Sequence, residues 1–387
     1  MLPDQLSSAL AELDAQGLRR RRSVLDSPQG ARVSLDGREF LSFSSNDYLG
    51  LASHPAIATA AREAIGAAGV GAGAAHLLTG HHRLHHDLER QLAGFVGLPA
   101  ALLFSTGYMA NLGVITALVD RHGEVFEDRL NHASLVDAAV LSRARLTRYP
   151  HRDLVWLDRK LAESRAPVKL IATDTVFSMD GDLAPVSELL ELAGRHGAWL
   201  YLDDAHGFGV LGEEGRGVLS TLPLAPCPLN LIYLATLGKA AGVAGAYVAG
   251  SEYLVEWLVN RARTYIYTTA QPPLLAAAVA ASLRLIAGEP WRRERLAALI
   301  DRLRAGVVGL PWQLMSSDTP IQPLLVGGNV EALRLAEGLK RRGILIPAIR
   351  PPTVPAGTAR LRISLSAAHT EDDVDALLAA LRELAHD

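Results

Sequence analysis

The most informative pattern in the chain is a pair of short apolar segments at residues 199–202 and 231–237. Apolar runs of about four to eight residues between turn residues predict buried strands. Asp203 and His206 follow the first run, and Lys239 follows the second within a glycine-rich turn. The carboxyl ends of neighbouring strands in an open α/β sheet meet at one crevice, where ligands bind. We therefore expect these polar side chains to share a ligand site.

From residue 100 to residue 250, strand-length apolar segments alternate with segments of helical periodicity. This alternation predicts βαβ units and an α/β fold, with a mostly parallel sheet covered by helices on both faces. Beyond it, the periodicity predicts helices at 252–264, 272–288, 291–310, 330–342 and 371–385 and strands at 321–326, 343–349 and 359–365. We expect an N-terminal helical arm with the first strands (1–45), a large domain (46–285) and a smaller α+β C-terminal domain (286–387).

The composition indicates a small-molecule partner. The net charge is −3 and the pI about 6.5, so no overall basic field would attract nucleic acid or anionic lipid. Cys227 is the only cysteine of the 387 residues, which excludes an internal disulfide framework and favours a reducing, cytoplasmic location. Acidic residues precede any apolar core at the N-terminus, the reverse of a secretory signal.

An uncharged segment at residues 92–119 is long enough to cross a bilayer, but Pro99, Gly107 and Asn111 interrupt it. We interpret it as a strand, a tight turn and a helix, and we expect no membrane contact. The backbone N–H groups of Gly107 and Tyr108 would then lie at a helix N-terminus, where anions bind.

A histidine cluster raises the question of a metal. His82 and His86 are four residues apart, a spacing that suits two ligands on one helix face, and His81 and His85 accompany them. However, the sequence offers no cysteine partner and no HExxH acid. We therefore favour a solvated start of a helix and expect no metal.

The candidate residues together suit one cofactor. Pyridoxal phosphate uses a lysine imine, a carboxylate against its pyridinium nitrogen and a phosphate seat at a helix N-terminus. Lys239 and Asp203 supply the first two, His206 could donate toward the phenolic oxygen, and His132 could cover the ring. Each also has a plain structural alternative: Asp203 as a helix cap, His132 beside an N-cap and Lys239 on the surface. The presence of all these residue types together favours a catalytic site over separate structural roles.

Several motifs, in order along almost the whole chain, resemble one enzyme family. They are SSNDYLGL, GHHRLHHDLE, FSTGYMAN, NHASL, DTVFSMDGDLAPV, LDDAHGFGVLGEEGRG, TLGKAAGVAG, YTTAQPP and AIRPPTVPAGTARLR. This series is similar to the α-oxoamine synthases, which are fold-type I pyridoxal-phosphate enzymes. Within the family, the resemblance implies decarboxylative condensation of L-alanine with a pimeloyl thioester, carried on CoA or a carrier protein, in biotin biosynthesis.

The resemblance also implies roles for particular residues. Lys239 would form the imine and then remove the Cα proton, while Asp203 pairs with the ring nitrogen, and His132 and His206 contact the ring and its oxygen. The remaining implied contacts are Gly107, Tyr108, Ser178 and Thr236 to the cofactor and its phosphate, Arg350 and Asn46 to the amino acid carboxylate, and Thr353 and Arg20, from the run Arg19 to Arg22, to the acyl substrate. The family is dimeric with its active site at the subunit interface, so Thr268 and Thr269 would serve the neighbouring subunit's phosphate.

Three other functions stay open at this point. A sister enzyme such as a glycine C-acetyltransferase would share every cofactor residue. A non-catalytic pyridoxal-phosphate protein would be expected to lose the carboxylate or the carboxylate-binding arginine, and neither is lost. A dinucleotide oxidoreductase would need a GxGxxG motif after the first strand, and the VGAGAA stretch does not follow a clear strand.

Overall fold

The computed structural model describes residues 2–15, 18–20, 22–222 and 228–386. Its helices are α1 (Pro3–Ala15), α2 (Pro55–Ala68), α3 (Arg83–Val96), α4 (Gly107–Leu118), α5 (Ala133–Ser142), α6 (Leu154–Glu163), α7 (Val186–His196), α8 (Glu252–Arg261), α9 (Arg263–Ile266), α10 (Pro273–Gly288), α11 (Trp291–Gly306), α12 (Asn329–Arg341) and α13 (Glu371–Leu384). Its strands are β1 (Arg32–Leu35), β2 (Arg38–Ser42), β3 (Ala100–Phe104), β4 (Glu124–Asp128), β5 (Arg145–Tyr149), β6 (Lys169–Asp174), β7 (Trp199–Asp203), β8 (Leu231–Thr236), β9 (Ala246–Gly250), β10 (Gln313–Leu314), β11 (Ile321–Gly327), β12 (Ile344–Leu345), β13 (Ala348–Ile349) and β14 (Ala359–Ser364).

The central sheet confirms the predicted α/β fold. Its seven strands lie in the order β3-β9-β8-β7-β6-β4-β5. Only β9 runs against the others, because it pairs antiparallel with both β3 and β8 while the remaining pairs are parallel. The carboxyl ends of β6, β7 and β8 therefore meet at one edge, where the polar residues were expected to lie.

Helices cover both faces of this sheet. Alternate side chains of each strand point to opposite faces, and because both sets are apolar, both faces must be buried. On β7, Leu200 and Leu202 pack with the cluster that includes α3, α6, α7 and α10. Tyr201 packs on the other face with α4, α5 and α8. These strands are therefore buried on both sides, which explains why their sequences are apolar runs without alternation.

Two smaller sheets join the ends of the chain. Strands β10, β11, β14 and β13 form an antiparallel sheet packed by α12, and α13 packs against α11 and α12. Strand β12 leaves this region and pairs in parallel with β2 near the N-terminus. The predicted strand at 343–349 is thus two short strands in different sheets, separated by Ile346 and Pro347. The division at residues 45 and 285 stays a prediction.

Most predicted helices are confirmed to within a few residues. The predicted helix at 252–264 differs, because it ends at Arg261 and a separate turn, α9, follows Ala262. Among the described residues, no single helix is both long and apolar enough to cross a membrane. The pair α10 and α11, bent by 67°, meets the criterion together on length and composition only.

Candidate active site

A cavity of about 190 Å³ lies at the carboxyl edge of the central sheet. All eight residues expected to bind the cofactor line it: Gly107, Tyr108, His132, Ser178, Asp203, His206, Thr236 and Lys239. Four further residues line the same cavity, namely Asn111, Ser134, Asp174 and Ala205. Sequence segments more than 100 residues apart therefore meet at this one site.

Lys239 lies in the turn between β8 and β9. Gly242, three residues on, has φ of 67°, and a Cβ atom there would lie 2.5 Å from the backbone nitrogen of Ala52. Only glycine suits this left-handed and crowded position. Burial lowers the pKa of the Lys239 amine to about 8, against the opposing effect of the Asp203 and Asp174 carboxylates. About a tenth of the amine is therefore neutral at pH 7, far more than for a lysine of ordinary pKa, and this neutral form can act as a base or nucleophile.

Asp203 is held as an oriented acceptor at the end of β7. Its Oδ2 accepts a hydrogen bond of 2.8 Å from Nδ2 of Asn111, and its Oδ1 accepts one of 3.1 Å from the backbone N–H of Ala205. The Asn111 amide is itself fixed, since Tyr201 donates to its Oδ1 at 2.6 Å. A carboxylate oriented this way can pair with a cationic ring nitrogen.

Asp174, beside Asp203 in the register of β6 and β7, fixes the start of α5. Its Oδ2 accepts a 2.7 Å hydrogen bond from the backbone N–H of His132. Burial, and then the Asp203 charge, raise the pKa of Asp174 well above its usual range. His132 caps α5, and its Nδ1 lies 2.7 Å from Oγ of Ser134. His132 is thus the N-cap itself, not the neighbour of an N-cap that the structural alternative predicted, and the same ring borders the cavity.

His206 is buried between Lys239 and the turn that carries Tyr48. Its Nε2 lies 2.9 Å from Nζ of Lys239, and its Nδ1 lies 2.6 Å from the Tyr48 hydroxyl. Burial, followed by the Lys239 charge, lowers the pKa of His206 well below its usual range. The ring is thus neutral, with one N–H to donate.

The N-terminus of α4 opens toward the cavity. Thr106 caps the helix through its side chain, which accepts from the backbone N–H of Met109. A Cβ atom on Gly107 would lie 2.7 Å from Cγ2 of Thr236, so the absence of a side chain lets α4 approach the end of β8. The first N–H groups of a helix lack intrahelical partners and attract anions. Gly107, Tyr108 and Thr236 therefore form a suitable seat for a phosphate.

Arg362 is a site residue that the sequence analysis missed. Its buried guanidinium donates from Nε to the Ser178 carbonyl oxygen at 2.6 Å and from Nη1 to Oδ1 of Asn46 at 3.3 Å. Its positive charge also contributes to lowering the pKa of both Lys239 and His206. A signal was available in the sequence, since arginines at 360 and 362 alternate on one face of an otherwise apolar strand.

A second cavity of about 480 Å³ adjoins the first through Lys239, which lines both. Its polar wall includes Asn46 and the serines of the SSNDYLGL segment, and its apolar wall comes from the N-terminal sheet and its surroundings. The apolar residues are Leu25, Val33, Leu35, Ala52, Val243 and Leu345. The site is therefore two adjoining chambers with the lysine between them.

Five of the other expected contacts do not line either cavity. Arg20 is exposed in the extended segment after α1, and Arg350 follows β13 in a half-buried position. Thr353 is exposed in the following loop and donates its backbone N–H to the Arg350 carbonyl oxygen. Thr269 is exposed next to the half-buried Thr268, beyond α9.

The histidine cluster differs from the expected pair. His82 caps α3 rather than facing His86, because its Nδ1 accepts from the backbone N–H of Leu84. The histidines that come together are His76, His81 and His85, each with one ligand atom within 4.8 Å of the others. Burial lowers the pKa of both His76 and His85 to about 4, so these two rings are neutral and can pack.

Comparison with known proteins places the chain among enzymes. The sequence profile described as "Aminotransferase class I and II" matches residues 38–381. The 8-amino-7-oxononanoate synthase of Nitrosomonas europaea is 62% identical over 386 residues, which cover 100% of both chains. A solved structure of SPT with PLP internal aldimine is 29% identical, with a TM-score of 0.91, over 98% of this chain and 96% of that one. The 8-amino-7-oxononanoate synthase structure from Francisella tularensis is 31% identical, with a TM-score of 0.77, over 90% of this chain and 98% of that one.

Proposed function

The chain belongs to the class I and II aminotransferase family, and within this family we propose that it is a pyridoxal-phosphate enzyme with the activity of 8-amino-7-oxononanoate synthase. It condenses L-alanine with a pimeloyl thioester, and carbon dioxide and the free thiol carrier are released. The observation that carries the proposal is the position of Lys239, which among the described residues is the one that lines both a cofactor-sized cavity and a larger, partly apolar cavity.

The residues of the smaller cavity fit pyridoxal phosphate on chemical grounds. The helix N-terminus at Gly107 suits the phosphate, the oriented Asp203 carboxylate suits a protonated ring nitrogen, and the Lys239 amine suits the aldehyde. When bound, the cofactor supplies an electron sink for negative charge at the amino acid's Cα atom. His132 borders the cavity from the start of α5 and is proposed to cover the ring.

Proton transfer at Cα is assigned to Lys239. A base works best when its pKa lies near the working pH, and burial brings the Lys239 amine to about 8. His206, 2.9 Å away, offers a neutral ring nitrogen that can exchange a hydrogen bond with this amine. The cavity walls shield both groups from bulk water, which strengthens the electrostatic interaction between them.

The amino acid carboxylate has two candidate partners. The family resemblance points to Arg350 with Asn46. The contacts favour Arg362, because its guanidinium donates a hydrogen bond to Asn46 and its positive charge lowers the pKa of Lys239. We assign the main role to Arg362, since a charged donor next to Lys239 is best placed to bind a carboxylate there. Arg350 keeps an accessory role that a variant can test.

The acyl chain is assigned to the second cavity. Its aliphatic lining suits a methylene chain, and each buried methylene contributes about 0.8 kcal/mol. Arg20 and Thr353 are proposed to contact the acyl substrate near the entrance. The active form is proposed to be a homodimer, in which Thr268 and Thr269 serve the neighbouring phosphate. A cytoplasmic location is also part of the proposal and is supported by the single cysteine.

A substrate matrix tests the proposal. Release of free thiol is measured with alanine, glycine and serine, each against pimeloyl-, acetyl- and succinyl-CoA, with the Lys239→Ala variant as the control for background hydrolysis. We expect alanine with pimeloyl-CoA to give the highest kcat/KM. A higher value for glycine with acetyl-CoA would favour the glycine C-acetyltransferase alternative and reject the proposed substrate pair.

A further inference from the structure

Tyr48 joins three parts of the chain through one buried hydroxyl group. Its side chain is fully buried, and the hydroxyl lies 2.6 Å from Nδ1 of His206. The same oxygen lies 3.2 Å from Oδ1 of Asn46 and 3.4 Å from a guanidinium nitrogen of Arg362. The N-terminal SSNDYLGL turn is thereby connected to β14 and to the ring that contacts Lys239.

His206 has opposite hydrogen-bonding roles at its two nitrogens. The ring is neutral, because burial and the neighbouring positive charges lower its pKa; the charged and titratable groups that face it are Lys239, Arg362 and His132. A neutral imidazole carries one N–H, so one nitrogen donates while the other accepts. If Nε2 accepts a hydrogen bond from the cavity side, Nδ1 carries the proton and needs an acceptor on the protein side. If Nε2 donates, Nδ1 needs a donor there.

Nδ1 has a single hydrogen-bond partner within the described part of the chain, the Tyr48 hydroxyl. A hydroxyl can either donate or accept, whereas an amide oxygen or a guanidinium can do only one of these. We propose that Tyr48 is a positioning residue that sets the tautomer of His206. The Tyr48 hydroxyl accepts a hydrogen bond from Nδ1 while Nε2 accepts one from the Lys239 ammonium group. It donates to Nδ1 when Nε2 must donate to the ring oxygen of the bound cofactor. The inference rests on the proposed function.

Both arrangements satisfy the surrounding groups. In the first, the Lys239 ammonium group donates to Nε2, Nδ1–H donates to the Tyr48 oxygen, and the Tyr48 hydroxyl donates to Asn46. In the second, Nε2–H points into the cavity, and the Tyr48 hydroxyl turns from Asn46 to Nδ1. Asn46 keeps the hydrogen bond from Arg362, so no buried acceptor is left unpaired.

Tyr48→Phe removes the hydroxyl and keeps the ring. In the holoenzyme, the visible absorbance of the cofactor linked to Lys239 is titrated against pH. Without a donor at Nδ1, His206 donates less to the ring oxygen, which then holds the proton shared with the Lys239 nitrogen more tightly. We expect the pKa of the spectral transition to rise by about one unit and kcat/KM for alanine to fall about tenfold. Tyr247→Phe, at another fully buried tyrosine, is the matched control and leaves the transition unchanged.

A double-mutant cycle separates this role from general packing. If Tyr48 acts through His206, the spectral shift caused by Tyr48→Phe disappears in a His206→Asn background. An equal shift in both backgrounds, or a lower melting temperature with an unchanged spectral transition, would overturn the inference. If the wild-type protein gives no visible band after cofactor is added, the proposed function fails instead.

A second measurement does not depend on a variant of Tyr48. Nitrogen-15 NMR of the His206 ring, assigned by comparison with His206→Asn, reports which ring nitrogen is protonated. We expect the proton to move from Nδ1 to Nε2 when cofactor is added to the wild-type protein. The same tautomer in both states would contradict the proposed exchange.

Discussion

The side-chain amide of Asn111 donates a hydrogen bond of 2.8 Å to Oδ2 of Asp203 from the first turns of α4. The same amide nitrogen lies 2.8 Å from Oγ of Ser134, which in turn contacts Nδ1 of His132. One asparagine therefore orients the carboxylate proposed to pair with the ring nitrogen and the serine beside the proposed ring cover. The helix that begins at the proposed phosphate seat therefore also carries the residue that orients Asp203.

Asn111→Ala should weaken the site without removing a reacting group. The Asp203 carboxylate loses an oriented donor, so we expect kcat to fall about 10- to 100-fold and the cofactor to dissociate more readily. Steady-state assays and cofactor retention on dialysis measure the two effects. Ser134→Ala is the control, because it leaves the Asn111–Asp203 bond in place. Equal losses in both variants would show that Ser134, rather than the bond to Asp203, carries the role.

The sequence predicted the parts of this site that follow strands and missed those that act across the sheet. Asp203, His206 and Lys239 follow apolar runs, and that local pattern was sufficient to predict a shared edge. Asn111 and Arg362 lie inside a helix and a strand, where their roles depend on which residue packs opposite. The pairing of β12 with β2 was equally invisible, because it joins residues about 300 positions apart. Local periodicity carries no information on such contacts.

Lys239→Ala should bind the cofactor without a covalent link. The proposed phosphate and ring contacts remain, so we expect retained binding, but borohydride should no longer fix the cofactor covalently to the chain, which mass spectrometry of the denatured protein detects. Exchange of the alanine Cα proton with solvent should be lost, because the amine with a pKa of about 8 is the proposed base. Proton NMR in heavy water follows this exchange. Wild-type exchange rates in the variant would assign the base to another group.

Two conservative variants distinguish the carboxylate partners. Arg362→Lys keeps the charge but loses the planar group that contacts both Ser178 and Asn46, and we expect the KM for alanine to rise 10-fold or more. Arg350→Lys should raise it only a few-fold. Alanine saturation curves at fixed pimeloyl-CoA provide the comparison. The reverse order of effects would return the main role to Arg350, as the family resemblance implies.

Glu127 is a buried carboxyl group that costs stability at neutral and alkaline pH. It is fully buried in β4, and neither carboxyl oxygen meets a hydrogen-bond partner among the described residues. Burial raises its pKa to about 8, above the unfolded value of about 4.3. Between these two values the folded state binds the extra proton, so stability falls as the pH rises from about 4.3 through 8. We expect Glu127→Met to raise the melting temperature at pH 8, and an unchanged or lower value would contradict this account.

His151 should stabilise the fold at acidic and neutral pH. Its Nδ1 lies 2.9 Å from Oδ1 of Asp128 and its Nε2 lies 2.8 Å from Oδ2 of Asp182. Despite the opposing effect of burial, these two carboxylates raise the pKa of His151 to about 9. The folded pKa exceeds the unfolded value of about 6.5, so the contribution is complete below about pH 6.5 and is lost as the pH rises through 9. The shift corresponds to at most about 3 kcal/mol, and partial exposure of the ring reduces it to about 1 to 2 kcal/mol.

Melting curves of the wild type and His151→Gln between pH 6 and pH 10 test this contribution. We expect the variant to melt several degrees lower at pH 6 to 7 and the difference to shrink as the pH approaches 10, because the wild-type ring loses its proton there. His122→Gln, at a surface histidine outside this bridge, should follow the wild-type curve. The bridge joins the end of β4, which precedes His132, to the turn that follows Ser178. Parallel curves for wild type and His151→Gln would therefore mean that these two segments of the site are held together by packing rather than by the charge on His151.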